Sequence, residues 1–155
     1  MKQKTKTLLS YACIFLTSFL ADRITKLWAV INAQEPIAVC QSLNFSLSWN
    51  RGVSWSFFND ASTIGFYLLT FVLIAMISIF SVYAFIQYKN RWNISFEILM
   101  LSGALSNIVD RFYYGAVADF IDFYVGAWHW PTFNLADMFI FIGVFAIITK
   151  SFERR

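Results

Sequence analysis

Two aspartates in this chain stand where a charge is hard to keep. Asp137 lies several residues into an apolar run, and Asp119 is flanked by Val117, Phe120 and Phe123. Asn134, three residues before Asp137, shares its helical face. An acid within an apolar, membrane-length stretch is costly unless it faces a polar cavity, so it is a functional candidate by default. The plainer alternative is a buried acid satisfied by the positive end of a helix dipole. A single connecting segment, read as a loop over Gly115 to Phe123, separates Asp119 from Asp137, which lets the two meet. Two carboxylates in contact do not both ionise. They share a proton, leaving one as base for a water and the other as acid toward a carbonyl or a leaving amine.

Further polar stripes flank this pair. Gly103, Asn107, Asp110 and Arg111, spaced four, three and one apart, fall on one helical face. Asp22, Thr25 and Lys26 form a similar group in the first apolar segment, and an Asp22–Lys26 salt bridge is read as support for the site, not as chemistry. Taken singly, Asp110 and Arg111 are an ordinary snorkelling pair at a helix end. Polar stripes on three helices plus a polar segment point to one site. An acid pair of this kind is the machinery of aspartic peptidases.

The elements that carry these residues are membrane spans. The chain of 155 residues is 59% hydrophobic and 14% charged, far from the balance of a water-soluble domain. Apolar runs at about 7–30, 64–88, 94–113 and 133–149 predict four transmembrane helices, the last short enough to open into a polar site. Lys2, Lys4 and Lys6 before the first run imitate a signal peptide, and Ser10-Tyr11-Ala12-Cys13 faintly imitates a lipoprotein cleavage box. No small-residue cleavage site follows Leu20, so this run is read as a retained span. Eight of the twelve basic residues (Lys2, Lys4, Lys6, Lys89, Arg91, Lys150, Arg154, Arg155) fall on one side, which predicts a cytoplasmic location for both termini. Seven of the nine acids lie toward the other face; Glu97 and Glu153 do not, and Glu97 is read as a helix-end acid near Arg91. Trp28, Trp92, Trp128 and Trp130 near span ends fit an aromatic belt. The basic residues flank apolar segments, a topology signal that excludes a nucleic-acid patch. With one histidine and no Cys-x-x-Cys there is no metal-ligand spacing, and Cys13 and Cys40 are not placed to pair.

Between the first two spans, Leu43, Phe45, Leu47 and Trp49 alternate with polar residues, a strand pattern. Asn50-Arg51-Gly52 supplies a turn, and Val53, Trp55 and Phe57 resume the alternation, which predicts a small outward-facing β-hairpin or cradle. This hairpin and the segment around Asp119 are expected to clamp a lipid-bearing ligand from opposite sides.

At these residues the chain resembles the prolipoprotein signal peptidases, the type II signal peptidases of bacteria. Asp22-Arg23-Ile24-Thr25-Lys26 is similar to the family's D-x-x-T-K block, and Asn50-Arg51-Gly52-Val53-Ser54-Trp55-Ser56-Phe57 to its N-x-G segment. Gly103-Ala104-Leu105-Ser106-Asn107-Ile108-Val109-Asp110-Arg111 resembles G-A-x-G-N-x-x-D-R. Val117-Ala118-Asp119-Phe120 resembles V-x-D-F, and Phe133-Asn134-Leu135-Ala136-Asp137 matches F-N-x-A-D. Ser102 and Ser106 depart from it, standing where the family commonly has glycine. The resemblance implies that Asp119 and Asp137 are the catalytic pair, and that Asp22, Lys26, Asn50, Gly103, Asn107, Asp110, Arg111 and Asn134 shape the site or bind substrate. It implies a single membrane-embedded domain over 1–155, acting as a monomer in the bacterial inner membrane with its site toward the outer face. The implied substrate is a diacylglyceryl-modified prolipoprotein, cut before the lipid-modified cysteine without metal or organic cofactor, with membrane lipid as the other partner. Two other classes are open to such a chain: an ion relay, disfavoured by acids confined to one face, and a non-catalytic assembly subunit that docks through the aromatic hairpin.

Overall fold

The computed structural model describes residues 2–52 and 63–153. Among these, four helices, α1 (Lys2–Asn32), α2 (Thr63–Lys89), α3 (Ser95–Tyr114) and α4 (Leu135–Glu153), form a bundle. A four-stranded antiparallel sheet caps one end: β1 (Ile37–Cys40), β2 (Leu43–Asn50), β3 (Val117–Val125) and β4 (Trp128–His129), in the order β1-β2-β3-β4. Among the described residues three helices are long and apolar enough to cross a membrane: Thr5–Asn32, Thr63–Lys89 and Leu135–Phe152. The remaining helix, α3, carries Glu97, Asp110 and Arg111, all buried, and packs against all three others. It is the polar axis of the bundle, and its partners shield it. Their outward faces are apolar, with Phe71 at 69%, Phe141 at 71% and Phe145 at 62% exposure, a surface suited to lipid and not to water.

Helices α3 and α4 approach closely because glycine leaves out a side chain at two places. A Cβ on Gly103 would lie 2.5 Å from the Ala136 carbonyl oxygen, and one on Gly143 would lie 2.6 Å from the Met100 Cβ. In a membrane, where burying apolar surface drives helix association little, such contact and buried hydrogen bonds hold the bundle. Between the parallel helices α1 and α3 those bonds form a ladder at four-residue intervals. Ser18 Oγ meets Ser102 Oγ at 2.6 Å, Ser106 Oγ donates to Asp22 Oδ2 at 2.6 Å, and Lys26 Nζ pairs with Asp110 Oδ2 at 3.0 Å.

The sheet rests on the end of α1, where Phe120 and Ile121 pack with Ala29 and Ala33, supported by Leu43, Phe45, Phe133 and Leu135. Two expectations change here. The segment around Asp119 is a strand and not a loop, because the edge of β2 offers it hydrogen bonds from Leu43 to Asn50 and the bundle offers burial for Phe120 and Ile121. Since β2 and β3 are neighbours in one sheet, β2 itself does not oppose β3 as a second jaw; the part of the expected clamp carried by 53–57 lies outside the described residues. Phe120 belongs to the core and Val117 lines a cavity; only Phe123, at 45%, stands exposed. The hairpin preceding α2 joins β1 to β2 through Gln41-Ser42. Val53, Trp55 and Phe57, expected as its second arm, lie outside the described residues, as does Asp60. Trp28, Trp92, Trp128 and Trp130 are all exposed.

Candidate active site

Asp119 and Asp137 come to one cavity from different elements, β3 and the first turn of α4. Gly115, at φ 67°, ends α3 in the left-handed conformation that glycine adopts without strain, and the chain turns directly into β3. Phe133 then bridges to the strand: its carbonyl accepts the N–H of Phe120 at 3.0 Å and of Ile121 at 2.8 Å. The next residue, Asn134, is thereby set beside Asp119 at the start of α4. Asn134 Oδ1 accepts the Asp137 N–H at 3.0 Å, and Asp137 Oδ2 lies 3.4 Å from the Asn134 N–H, a reciprocal cap.

Three asparagine side chains converge on the carboxylates. Asn134 Nδ2 donates to Asp119 Oδ1 at 2.6 Å, Asn50 Nδ2 to Asp119 Oδ2 at 2.9 Å, and Asn107 Nδ2 to Asp137 Oδ1 at 2.9 Å. In each, the amide orientation follows from a donor on its oxygen. Asn134 Oδ1 faces the Asp137 N–H at 3.0 Å, Asn50 Oδ1 the Gly52 N–H at 2.9 Å, and Asn107 Oδ1 the Lys26 ammonium at 2.6 Å. With its oxygen engaged, each amide presents its NH₂ to an acid. Asn50-Arg51-Gly52 is thus a local turn, as its sequence indicates, and it also aims a donor at Asp119.

A second layer fixes the backbone. Lys26 and Asp22, 1% and 0% exposed, pair at 2.9 Å, and Asp110, also fully buried, pairs with both Lys26 and Arg23. Asp22 Oδ1 accepts the N–H of Ala136 at 2.8 Å, and Asp110 Oδ2 accepts the N–H of Ala118 at 3.2 Å. Each of these acids therefore holds the residue immediately before one member of the pair. Arg111 donates to the carbonyls of Arg51 and Gly52 and lies over the Phe66 ring at 5.2 Å, tying the Asn50 turn to α2 and α3. Gly103 contributes the close approach to Ala136 and no polar group.

The cavity, about 220 Å³, is polar at one end and apolar at the other. Asn50, Gly52, Asn107, Arg111, Asp119 and Asp137 line the first part; Leu73, Met76, Ile77, Phe80, Met100, Ile140 and Val144 line the rest, between α2, α3 and α4. Burial, and then the neighbouring Asp137 charge, push the Asp119 carboxyl up to about 7 against the opposing pull of Asn50, Asn134 and Lys26. Such a carboxyl can hold a proton near neutral pH and also release it.

Asp122 is not part of this cluster. Three residues from Asp119 in a strand, it falls on the other face, and its carboxylate meets His129 Nδ1 at 2.8 Å. Glu97 sits in the first turn of α3 as expected, but it is buried at 2% without an ion pair to Arg91 among the described residues, and Oε2 has no hydrogen-bond partner there. Sequence reasoning missed Ser18, whose spacing of four from Asp22 repeats that of Ser102 from Ser106, and Gly143, an isolated glycine in an apolar run.

Residues 14–153 match the family described as signal peptidase (SPase) II. The lipoprotein signal peptidase of Shewanella oneidensis is 38% identical over 138 residues, covering 86% of this chain and 81% of that protein. Its counterpart from Hydrogenovibrio crunogenus is 36% identical over 136 residues, covering 84% and 78%. A bacterial membrane enzyme solved by the in meso method at 2.3 Å superposes with a TM-score of 0.72 at 26% identity, covering 93% of this chain and 88% of the other. A second such structure, at 1.9 Å, gives 0.72 at 28% identity, covering 91% of each. With the family matched over most of its length, the chain belongs to the signal peptidase II family and is a bacterial membrane protein.

Proposed function

We propose that this chain removes the signal peptide from diacylglyceryl-modified prolipoproteins, and that Asp119 and Asp137 do so by activating water. The observation that carries this reading is the shared cavity: two carboxylates from separate elements, oriented by three asparagine amides, at the polar end of an otherwise apolar pocket. In the resting pair one carboxyl keeps the shared proton. The ionised partner takes a proton from water as the water oxygen attacks the scissile carbonyl, and the protonated partner donates to the carbonyl oxygen. Collapse of the tetrahedral intermediate passes a proton to the leaving amine of the lipid-modified cysteine. The signal peptide leaves with a new carboxylate. The asparagine donors favour the ionised forms, and burial favours retaining one proton, so the pair is balanced between the two.

The apolar part of the cavity suits a substrate that remains in the membrane. Its lipid and signal segment lie in the bilayer while the scissile bond reaches the sheet end of the bundle. The basic flanks support a cytoplasmic location for both termini, with the pair toward the outer face of the inner membrane. One membrane-embedded domain over 1–155, acting as a monomer among membrane lipids, completes the proposal. Membership in a peptidase family and a carboxylate pair gathered at one end of the bundle favour hydrolysis over an ion relay or an assembly subunit.

The test is cleavage by the purified chain of one precursor in two forms, with and without the diacylglyceryl group. Since the acyl chains already lie in the bilayer, the diacylglyceryl group acts by filling the apolar part of the cavity and so holding the scissile bond against the pair, and a misplacement there costs about 100-fold. The lipidated form should therefore be cut at least about 100-fold more efficiently in kcat/KM, with the new N-terminus at the modified cysteine. Equal cleavage of both forms would contradict the proposed substrate class.

A further inference from the structure

Ser106 departs from the glycine that the resembled family commonly places there, and it is completely buried. Its Oγ donates to Asp22 Oδ2 at 2.6 Å. The other oxygen of that carboxylate, Oδ1, accepts the Ala136 N–H at 2.8 Å. Asp22 also receives the Lys26 ammonium at 2.9 Å, but this ammonium is shared with Asp110 at 3.0 Å and Asn107 at 2.6 Å. A flexible side chain with three acceptors to serve follows either Asp22 oxygen, so it does not fix the rotation of the carboxylate. The hydroxyl on the α3 backbone does, because only one orientation satisfies Ser106 and Ala136 together. The Ala136 carbonyl also lies close against Gly103 of α3. The turn of α4 bearing Asp137 is therefore in contact with both α1 and α3.

We propose that Ser106 is a positioning residue for the acid pair, acting through Asp22 and the Ala136 N–H to set the place of Asp137. This rests on the peptidase reading above. Its effect belongs in the chemical step, because a small displacement of one carboxylate disturbs its alignment with water while leaving the apolar substrate contacts in place. Ser102 provides a matched comparison. It is equally buried, lies one turn away on the same helix face, and bonds Ser18 in place of Asp22.

The experiment measures kcat and KM on a lipid-modified precursor for wild type, Ser106→Ala, Ser106→Cys and Ser102→Ala, with thermal unfolding in detergent alongside. Ser106→Ala should lower kcat about tenfold, the scale of one hydrogen bond to a charged group, with KM within about twofold of wild type. Ser106→Cys, close in volume but a weaker donor, should fall between them and carries the test if the alanine variant does not fold. Ser102→Ala should keep kcat within about twofold. Equal loss of kcat at Ser102 and Ser106, an unimpaired Ser106→Ala, or a change confined to KM would each overturn the proposal. A wild-type chain that leaves the precursor intact would instead overturn the peptidase reading, which separates the two failures.

Discussion

Asparagine at position 119 or 137 is expected to lower kcat by about 10³-fold or more, with insertion and folding nearly unchanged. The substitution keeps shape but removes the group that accepts or donates the proton, and acid–base catalysis by such groups is worth about 10²–10⁴-fold at each. Because the two carboxylates act as one unit, the double variant should be little worse than either single one. Asp122→Asn is the internal control. Its carboxylate meets His129, on the opposite side of β3 from the cavity, so that variant should keep substantial activity. Cleavage of a lipid-modified precursor by the purified variants measures all four. Equal loss at 119, 122 and 137 would mean that the wrong pair has been identified.

The second large effect lies in the ion network and concerns stability. Lys26→Met keeps most of the buried stem but removes the charge between Asp22 and Asp110, both fully buried. Breaking one partner out of a buried pair costs about 3–5 kcal/mol, because the remaining charge is left uncompensated. Arg23→Gln should cost clearly less, since Arg23 is partly exposed at 22% and Asp110 retains Lys26 and the Ala118 N–H. Thermal unfolding in detergent and the yield of folded protein distinguish the two. If both variants unfold alike, Lys26 is not the centre of the network. Lys26→Met should also slow any surviving enzyme, because the ammonium holds the Asn107 oxygen and so aims its NH₂ at Asp137.

These residues also mark what was legible in the sequence. The helices were, because a long apolar run has few other structural outcomes, and the structure shifts their ends by at most five residues. The polar face of α3 was legible as well, since its spacing is that of a helix. Strand β3 was not. Val117 to Val125 does not alternate, because its first six residues are all buried, and its pairing with β2 joins positions some seventy residues apart. The β1–β2 turn escaped for a chemical reason: Gln41-Ser42 carries none of the glycine, asparagine or aspartate that usually marks a two-residue hairpin. Site membership was readable from residue type, but orientation was not. That Asn50, Asn107 and Asn134 aim donors at the acids depends on what holds their oxygens. Gly52 and Asp137 are local to Asn50 and Asn134, but the Asp119 that these amides reach comes from β3, and Lys26, which holds Asn107, comes from α1.

The pH dependence of kcat/KM on a lipid-modified precursor tests most directly whether Asp119 and Asp137 work as a proton-sharing pair, because this quantity reports the free enzyme. At low pH both carboxyls are protonated and no base is available for water, so the rate falls. As pH rises the shared proton is lost, the acid for the carbonyl oxygen disappears, and the rate falls again. With the Asp119 carboxyl pushed up to about 7 by burial and by Asp137, the profile should be bell-shaped, its alkaline limb with a midpoint near pH 7. A rate that climbs steadily through pH 9 with no alkaline limb would contradict it.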